Sequence, residues 1–559
     1  RLLTLGATVA NLRGEHSLAR RLLEESESLD LTPSTDARGF GDSSAESAPP
    51  VRASARSEIA SAPEAPLAEA SGGELRVALP GQLSSLDPAG ASLYEAVETV
   101  PLVFETLTRV EEGAHTVPWL AERVTTLEGG RRFALELRRA RFHDGRPLTA
   151  RDVRWSFERL LRSPRPASHH LLLPIRGARA LRDGEAEGLA GLKVLSKSRL
   201  EIELENSLPL FPTLLSNPLT AVLPEGTAEL GGSWRAGAAG TGPFRVLHFA
   251  AGSRLELERN PDSWRQGAPA AERLTFTFGL SAREIAKRYR EGRLSLASDL
   301  EPADVEALRH DPQLASGYRE QPRLATYFLA LNVHHGPLRD LETRRRLIEA
   351  LAPDAGLVSA AGRLAMPAFG LIPPGLLGAA SSPPPRAAAE PRGRTSDPSR
   401  ARALQAVLHP VFSGPYAEFW KSVQERAERS DLHLGAEVLS PEHATERARV
   451  GSADLIAFRW VADYPDTEGF VGNLLHSEEG FLAGVCSQPE VDALLERGRL
   501  EIEPGLRHGI YRELESLIAD RALLLPLFHE QIYRFCHPSV GGFSFGSTPE
   551  VRYDQLFVK

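Results

Sequence analysis

Apolar and polar positions along this 559-residue chain fall into short stretches of either strand or helix period. Glu74 to Leu79 and Arg132 to Leu137 read as strands. Between them, Val97, Val100, Val103, Phe104 and Leu107 recur at helical spacing, which predicts a helix over Glu95 to Leu107 with one buried face. Asp144-Gly145 predicts a tight turn. Thr149 comes next as a helix N-cap with Asp152 at its N3 position, and Val153, Phe157 and Leu160 supply the buried stripe. Far downstream, the apolar run from Ala453 to Phe458, interrupted by Asp454, predicts a buried strand that must stop by Pro465.

Ahead of Glu74 the pattern changes. Leu5, Val9 and Leu12, a break at Gly14, and then Leu18, Leu22 and Leu29 predict a helical hairpin over residues 1–33. Leu5-Gly6, Gly14 and Ala19 make it similar to a degenerate tetratricopeptide repeat with a one-residue spacing error. One repeat buries too little of its own face, so the chain is expected to be the C-terminal part of something longer. Arg1 followed by Leu2 to Ala10 also fits, loosely, the remnant of a signal peptide. Residues 34–73, rich in Ala, Ser, Pro, Glu and Arg, predict a disordered linker leading to a single module over 74–559.

Composition narrows the function classes. A hydrophobic content of 42% with 25% charged residues is that of a globular protein, and a net charge of -9 offers no basic surplus for nucleic acid. Apolar runs stay shorter than the roughly 18 residues a membrane span needs. Cys486 and Cys536 are too few for a disulfide framework or a thiolate zinc site, and one bridge between them is neither required nor excluded.

The most pointed chemistry lies in Trp460-Val461-Ala462-Asp463-Tyr464-Pro465-Asp466. A tryptophan and then a carboxylate at a strand end make an apolar wall beside a fixed negative charge, suited to a small ligand with a positive group. The alternative is a surface turn that Asp463 and Asp466 simply cap.

Several landmarks occur in a telling order. They are Leu86-Asp87-Pro88, Pro118 to Glu122, Phe142-His143-Asp144-Gly145 through Asp152-Val153, and Gly240-Thr241-Gly242-Pro243-Phe244. Asn260 to Trp264, Tyr327 to Asn332, Asp340 to Leu351, Asp397-Pro398 before a helix at Ala401, Gln488 to Asp492 and Pro526-Leu527-Phe528 continue the series. Over Glu74 to Lys559 the chain thereby resembles the family 5 extracellular solute-binding proteins, which include the oligopeptide and dipeptide receptors of bacterial ABC importers. The resemblance implies an α/β, two-lobed periplasmic-binding-protein-like fold of type II with three subdomains and hinge closure. Lobe 1 would comprise 74–322 and 526–559, with its sheet resuming at about Gly191 after a smaller inserted domain, and lobe 2 would comprise 323–525. It also implies that Asp463 pairs with a peptide's α-amino group beside Trp460, Ala462 and Tyr464, and that backbone around Leu83 and Ser84 bonds an extended peptide. Departures are the Pro, Ala and Arg-rich stretch Pro373 to Ser399, the short strand region Val407 to Ser413, and Ala350 to Asp354, where relatives commonly carry an aspartate and arginine.

Catalytic readings fit poorly. Gly542-Phe543-Ser544-Phe545-Gly546 matches a nucleophile elbow, but no histidine follows it. The pairs His169-His170 and His334-His335 lack the spacing of four that sets two imidazoles on one helix face, and neither a metal nor another cofactor is expected. A non-enzymatic receptor is the expectation, acting as a monomer in the periplasm or cell envelope. It would capture a short peptide or similar solute and deliver it to ABC transporter permease subunits. The alternative is a cytoplasmic sensor fused to N-terminal helical repeats or another effector.

Overall fold

The computed structural model describes residues 57–59, 72–90, 94–111, 115–164, 169–227, 239–382, 404–462, 464–478, 480–546 and 550–559. The expected hairpin over 1–33 and the helix expected at Ala401 lie outside them. Among the described residues, eleven strands share one sheet. In chain order they are β1 (Glu74–Leu79), β2 (Phe244–Ala250), β3 (Arg254–Arg259), β4 (Arg273–Phe278), β5 (Leu296–Ala297), β6 (Tyr318–Leu331), β7 (Ala365–Pro367), β8 (Leu404–Leu408), β9 (Leu434–Val438), β10 (Leu455–Val461) and β11 (Leu524–Cys536). Their spatial order is β9-β8-β10-β6-β11-β5-β1-β4-β3-β2, with β7 pairing on β11.

The two long strands β6 and β11 connect the two halves of this sheet. Tyr318 to Pro322 pair antiparallel with Gln531 to Phe535, the register then breaks, and Thr326 to Ala330 pair with Leu524 to His529. Beyond the break on one side, β10 pairs with β6 along Ala325 to Leu331. On the other side, β5 pairs with Phe535 and Cys536 and hands the sheet on to β1. Each lobe therefore hangs on one end of the same strand pair, and the irregular stretch between the ends leaves ladder positions unpaired where a sheet bends most easily.

β10 explains its own composition. Leu455 and Ala457 face a core cluster with Tyr327 and Phe528, whereas Ile456 and Phe458 face another with Phe328 and Leu324. A strand covered on both faces is continuously apolar, which is why this run shows no alternation. The strand starts two residues later than expected and runs on to Val461.

An inserted five-stranded sheet adjoins the first lobe, in the order Ser57–Ile59, Ala121–Leu127, Arg132–Leu137, Arg199–Glu203, Leu192–Val194. Two expectations are corrected by it. Ser57–Ile59, placed in the linker, pairs with Val124 to Thr126, its three residues having found an open sheet edge. The stretch from Gly191 belongs to the inserted sheet instead of the main one, because Arg199–Glu203 pairs along Arg132 to Glu136. At the other end, the lobe boundary expected at Pro526 falls inside β11, with Pro526 to His529 in the second lobe's ladder.

Helices follow their sequence signals with one exception. α1 (Tyr94–Val103) ends before Phe104 and Leu107, which are buried in the turn that follows it. α2 (Ala150–Leu161) carries the predicted capping box, with the Thr149 N–H and Oγ1 each donating to Asp152 Oδ2 at 2.7 Å. Asp87, in the Leu86-Asp87-Pro88 landmark, is buried and accepts from Arg159 of α2 at 3.0 Å, tying the start of the first lobe to the inserted domain.

Buried charges hold the C-terminal segment in place. Arg534 of β11 donates to Glu98 of α1 at 2.8 Å, and the Tyr553 hydroxyl donates to the same carboxylate at 2.9 Å. Glu105 accepts from the indole N–H groups of Trp119 and Trp264, both at 2.9 Å. Arg265, stacked towards Trp119, donates to Asp554 at 2.6 Å with both side chains almost wholly buried. Burial raises the Asp554 pKa, but the guanidinium groups of Arg552, Arg265 and Arg109 outweigh it and hold the carboxyl well below the usual range.

Asp554→Asn would leave those guanidinium groups facing a neutral amide, at an expected cost of about 3 kcal/mol measured by urea unfolding at neutral pH. The folded carboxyl titrates below its unfolded value of about 3.9, so its contribution is complete above that value and is lost as pH falls through the folded one. The stability gap between wild type and variant should therefore stay constant near neutrality and close only in strong acid.

Candidate functional site

The predicted site lies where β10 ends beside the break in β6. Thr326 of β6 pairs with Trp460, and the N–H of Ala462 donates to the Leu324 carbonyl at 2.9 Å. Trp460 is half-buried, donates its indole N–H to the Phe470 carbonyl at 2.9 Å, and lies 5.5 Å from the Phe481 ring at 34°. Its orientation is thus set by α3 (Thr467–Leu475), the helix that follows the site. Asp463 lies outside the described residues.

Two ion pairs fix the start of α3. Asp466 caps it, accepting from the Glu468 N–H at 2.8 Å, and also takes both Nη groups of Arg507 at 2.6 Å. Arg507 belongs to α5 (Pro504–Asp520). Burial lowers its pKa, but the Asp466 carboxylate more than offsets that and holds it above its ordinary value. Glu468 accepts from Arg499 of α4 (Pro489–Leu500) at 2.9 Å and from the Tyr464 hydroxyl at 2.7 Å. The capping alternative is thereby realised at Asp466.

Tyr464 has a second attachment. Its ring is buried in the cluster of the first lobe, together with Leu83 and Leu86, although the residue is carried by the second. Gly469 fits beneath it: a Cβ there would approach the ring to 2.3 Å. Trp460 and Ala462 pack against the second lobe's cluster instead. The segment thus spans the junction of the lobes, where a ligand held by it would touch both.

The two first-lobe candidates are placed differently. Leu83 is a buried core residue whose carbonyl accepts from Gly252 at 2.7 Å, so that acceptor is already engaged within the protein. Ser84 is exposed.

Sequence reasoning missed several charged groups beside the segment. On β10, Arg459 Nε and Nη2 donate to Glu530 of β11 at 2.9 and 2.7 Å, and Arg323 of β6 approaches the other oxygen at 3.6 Å. Burial opposes the charge on Arg459, and Glu530 restores it, leaving the pKa raised. On the opposite face of the sheet, His529 is buried, shares a 2.9 Å hydrogen bond with Thr326, and has its pKa pushed down to about 4, so it is neutral at ordinary pH. These groups lie far apart in sequence and carry no spacing signature. Among the described residues no three His, Cys, Asp or Glu side chains converge as a metal site requires, and both cysteines are free and buried. The arrangement suits recognition: an aromatic wall, fixed charges and a junction between lobes.

Comparison with known proteins agrees with this architecture. A di/tripeptide-binding protein 2 of Pseudomonas aeruginosa is 26% identical over 466 residues, covering 77% of this chain and 84% of that protein. A probable deoxycholate-binding periplasmic protein, YgiS of Escherichia coli, is 26% identical over 500 residues, covering 85% and 91%. Among solved structures, clavulanic acid biosynthesis oligopeptide binding protein 2 superposes with a TM-score of 0.76 at 23% identity, over 88% of this chain and 96% of that one. The fold is the two-lobed, mixed α/β fold of periplasmic binding proteins. The family model for bacterial extracellular solute-binding proteins, family 5 (middle), matches residues 115–407. Because that match spans more than half of the 559 residues, the chain belongs to the bacterial extracellular solute-binding proteins of family 5.

Proposed function

We propose that this protein is a receptor that captures short peptides between its lobes outside the cytoplasmic membrane and delivers them to the permease of an ABC importer. The observation that carries the reading is the Trp460 to Tyr464 segment, anchored to the second lobe by the Ala462 bond to Leu324 and to the first by the buried Tyr464 ring. A ligand at such a junction favours whichever arrangement of the lobes lets it contact both, and that differential affinity is the signal a transporter reads. The names of the similar proteins, with their di/tripeptide-binding and periplasmic terms, support peptides as ligands and the periplasm as the compartment. They favour transport over a cytoplasmic sensor.

In this reading Asp463 meets the peptide's ammonium group. That compact cation loses water as the lobes close, and a fixed carboxylate offsets the desolvation cost. Trp460 walls the ligand, while bonds to the peptide backbone give affinity with loose side-chain preference. Leu83 contributes through the fold of the first lobe.

Asp463→Ala should weaken binding of peptides with a free amino end by about tenfold or more, while N-acetylated peptides bind both proteins alike. Isothermal calorimetry reads both, and equal affinity of the two proteins for free-amino peptides would remove that role. Arg507→Ala should behave differently. It strips the partner from Asp466 at the start of α3 and is expected to lower stability by about 3 kcal/mol in urea unfolding. Native mass spectrometry of the purified protein should show short peptides released on denaturation.

A further inference from the structure

Three charged groups meet at the lobe junction, and their signs do not cancel. Glu530 gives one carboxylate oxygen entirely to Arg459, whose two N–H groups converge on it. Arg323 lies in the irregular part of β6, next to Leu324, the residue whose carbonyl anchors Ala462. It reaches the other Glu530 oxygen only at 3.6 Å, beyond hydrogen-bonding distance. Its Nε is buried without an acceptor, and among the described residues its guanidinium makes no hydrogen bond. Polar neighbours among the described residues include the hydroxyls of Tyr327 and Tyr416, whose pKa values burial raises, and His409, whose pKa burial and the Arg459 charge lower, and none of them adds a negative charge. Among the described residues of this group, one positive charge is left over.

A guanidinium with unfilled donors at a half-buried position is costly, and such groups find partners in nearly all folded proteins. Arg323 differs from the structural arginines nearby. Arg507 and Arg459 each make two short bonds to a carboxylate, whereas Arg323 keeps its donors open and is still 24% exposed, so a solute can reach it. The planar donor fork matches a carboxylate in a bidentate fashion.

We propose that Arg323 is a specificity-determining residue that receives a carboxylate of the ligand, with Arg459 and Glu530 acting as positioning residues. The proposal rests on the receptor reading and deepens it: the ligand class is anionic at one point, whether through a peptide C-terminus or an acidic side chain. Glu530, already satisfied by Arg459, repels an incoming carboxylate less than a free glutamate would, and it keeps Arg323 beside the segment that carries Trp460.

The test compares trialanine, trialanine amide and Ala-Asp-Ala amide by calorimetry on wild type, Arg323→Gln and Arg323→Lys, with circular dichroism melts to verify folding. Wild type should bind trialanine about tenfold or more tightly than its amide if the C-terminus is the partner, or prefer Ala-Asp-Ala amide by a similar factor if a side chain is. Arg323→Gln should bring the preferred acid to within about twofold of trialanine amide, and Arg323→Lys should keep part of the preference. Discrimination that survives in Arg323→Gln, or wild type that binds all three peptides equally, overturns the assignment. Wild type that binds none of them removes the peptide reading on its own, and the anion site is then decided by inorganic sulfate. A sulfate-induced rise in melting temperature in wild type but not in Arg323→Gln upholds it, and equal shifts overturn it.

Discussion

The antiparallel pairing of β6 with β11 carries both lobes, because apart from β7, which pairs with the middle of β11 at Phe528 to Glu530, the other described strands of the large sheet attach towards one end or the other of that pair. A ladder of uniform register would make the sheet one stiff layer. The break between Pro322 and Thr326 interrupts the β6–β11 hydrogen bonds midway, so each lobe keeps its own core while the sheet between them narrows to β6 and β11 with the short β7 alongside. Solvent-excluding clusters on both faces of β10 then fix the second lobe's side of the junction.

Everything assigned to recognition is arranged around that break. β10 pairs with β6 as far as Ala325, so the residues after it emerge where the ladder gives out. Backbone leaving a sheet loses its regular hydrogen-bond partners, and here they are replaced one by one: Leu324 takes Ala462, Phe470 takes the Trp460 indole, and Asp466 caps the next helix. The Asp466–Arg507 and Glu468–Arg499 pairs tie the start of that helix to α4 and α5. Such scaffolding holds the proposed binding segment stiff, which would limit the conformational entropy a ligand must remove on binding.

Charge is used in two ways in this molecule. Asp554 with Arg265, and Glu98 with Arg534, are buried and fully partnered, so they add little net energy but make alternative packings of the C-terminal segment expensive. At the lobe junction, among the described residues, Arg323 is left without a close partner, which is the basis for proposing it as a ligand contact. Family membership accounts for the fold and for a binding role.

Local physics is legible in the sequence. The Thr149 capping box, the strands at Glu74 and Arg132, and the two-sided apolar run before Trp460 depend on neighbours within a few residues, and each forms as its pattern dictates. The helical spacing that begins near Glu95 overruns the helix itself, because Phe104 and Leu107 are buried by tertiary contacts while lying beyond its end, which mimics helical periodicity. Other features depend on groups brought together by folding. The Arg507 partner of Asp466 is 41 residues away and the Glu530 partner of Arg459 is 71 away, and no spacing rule joins such positions. The short strand Ser57–Ile59 exists only because a sheet edge was open to it, and the Leu83 carbonyl is engaged by Gly252 only once the first lobe has closed around it. Sequence determined which segments could be strands and helices and set a tryptophan beside carboxylates at the end of one strand; the pairing of distant charges and of the two long strands was decided by burial, since an ion or a sheet edge acquires its partner only when water has been removed from both.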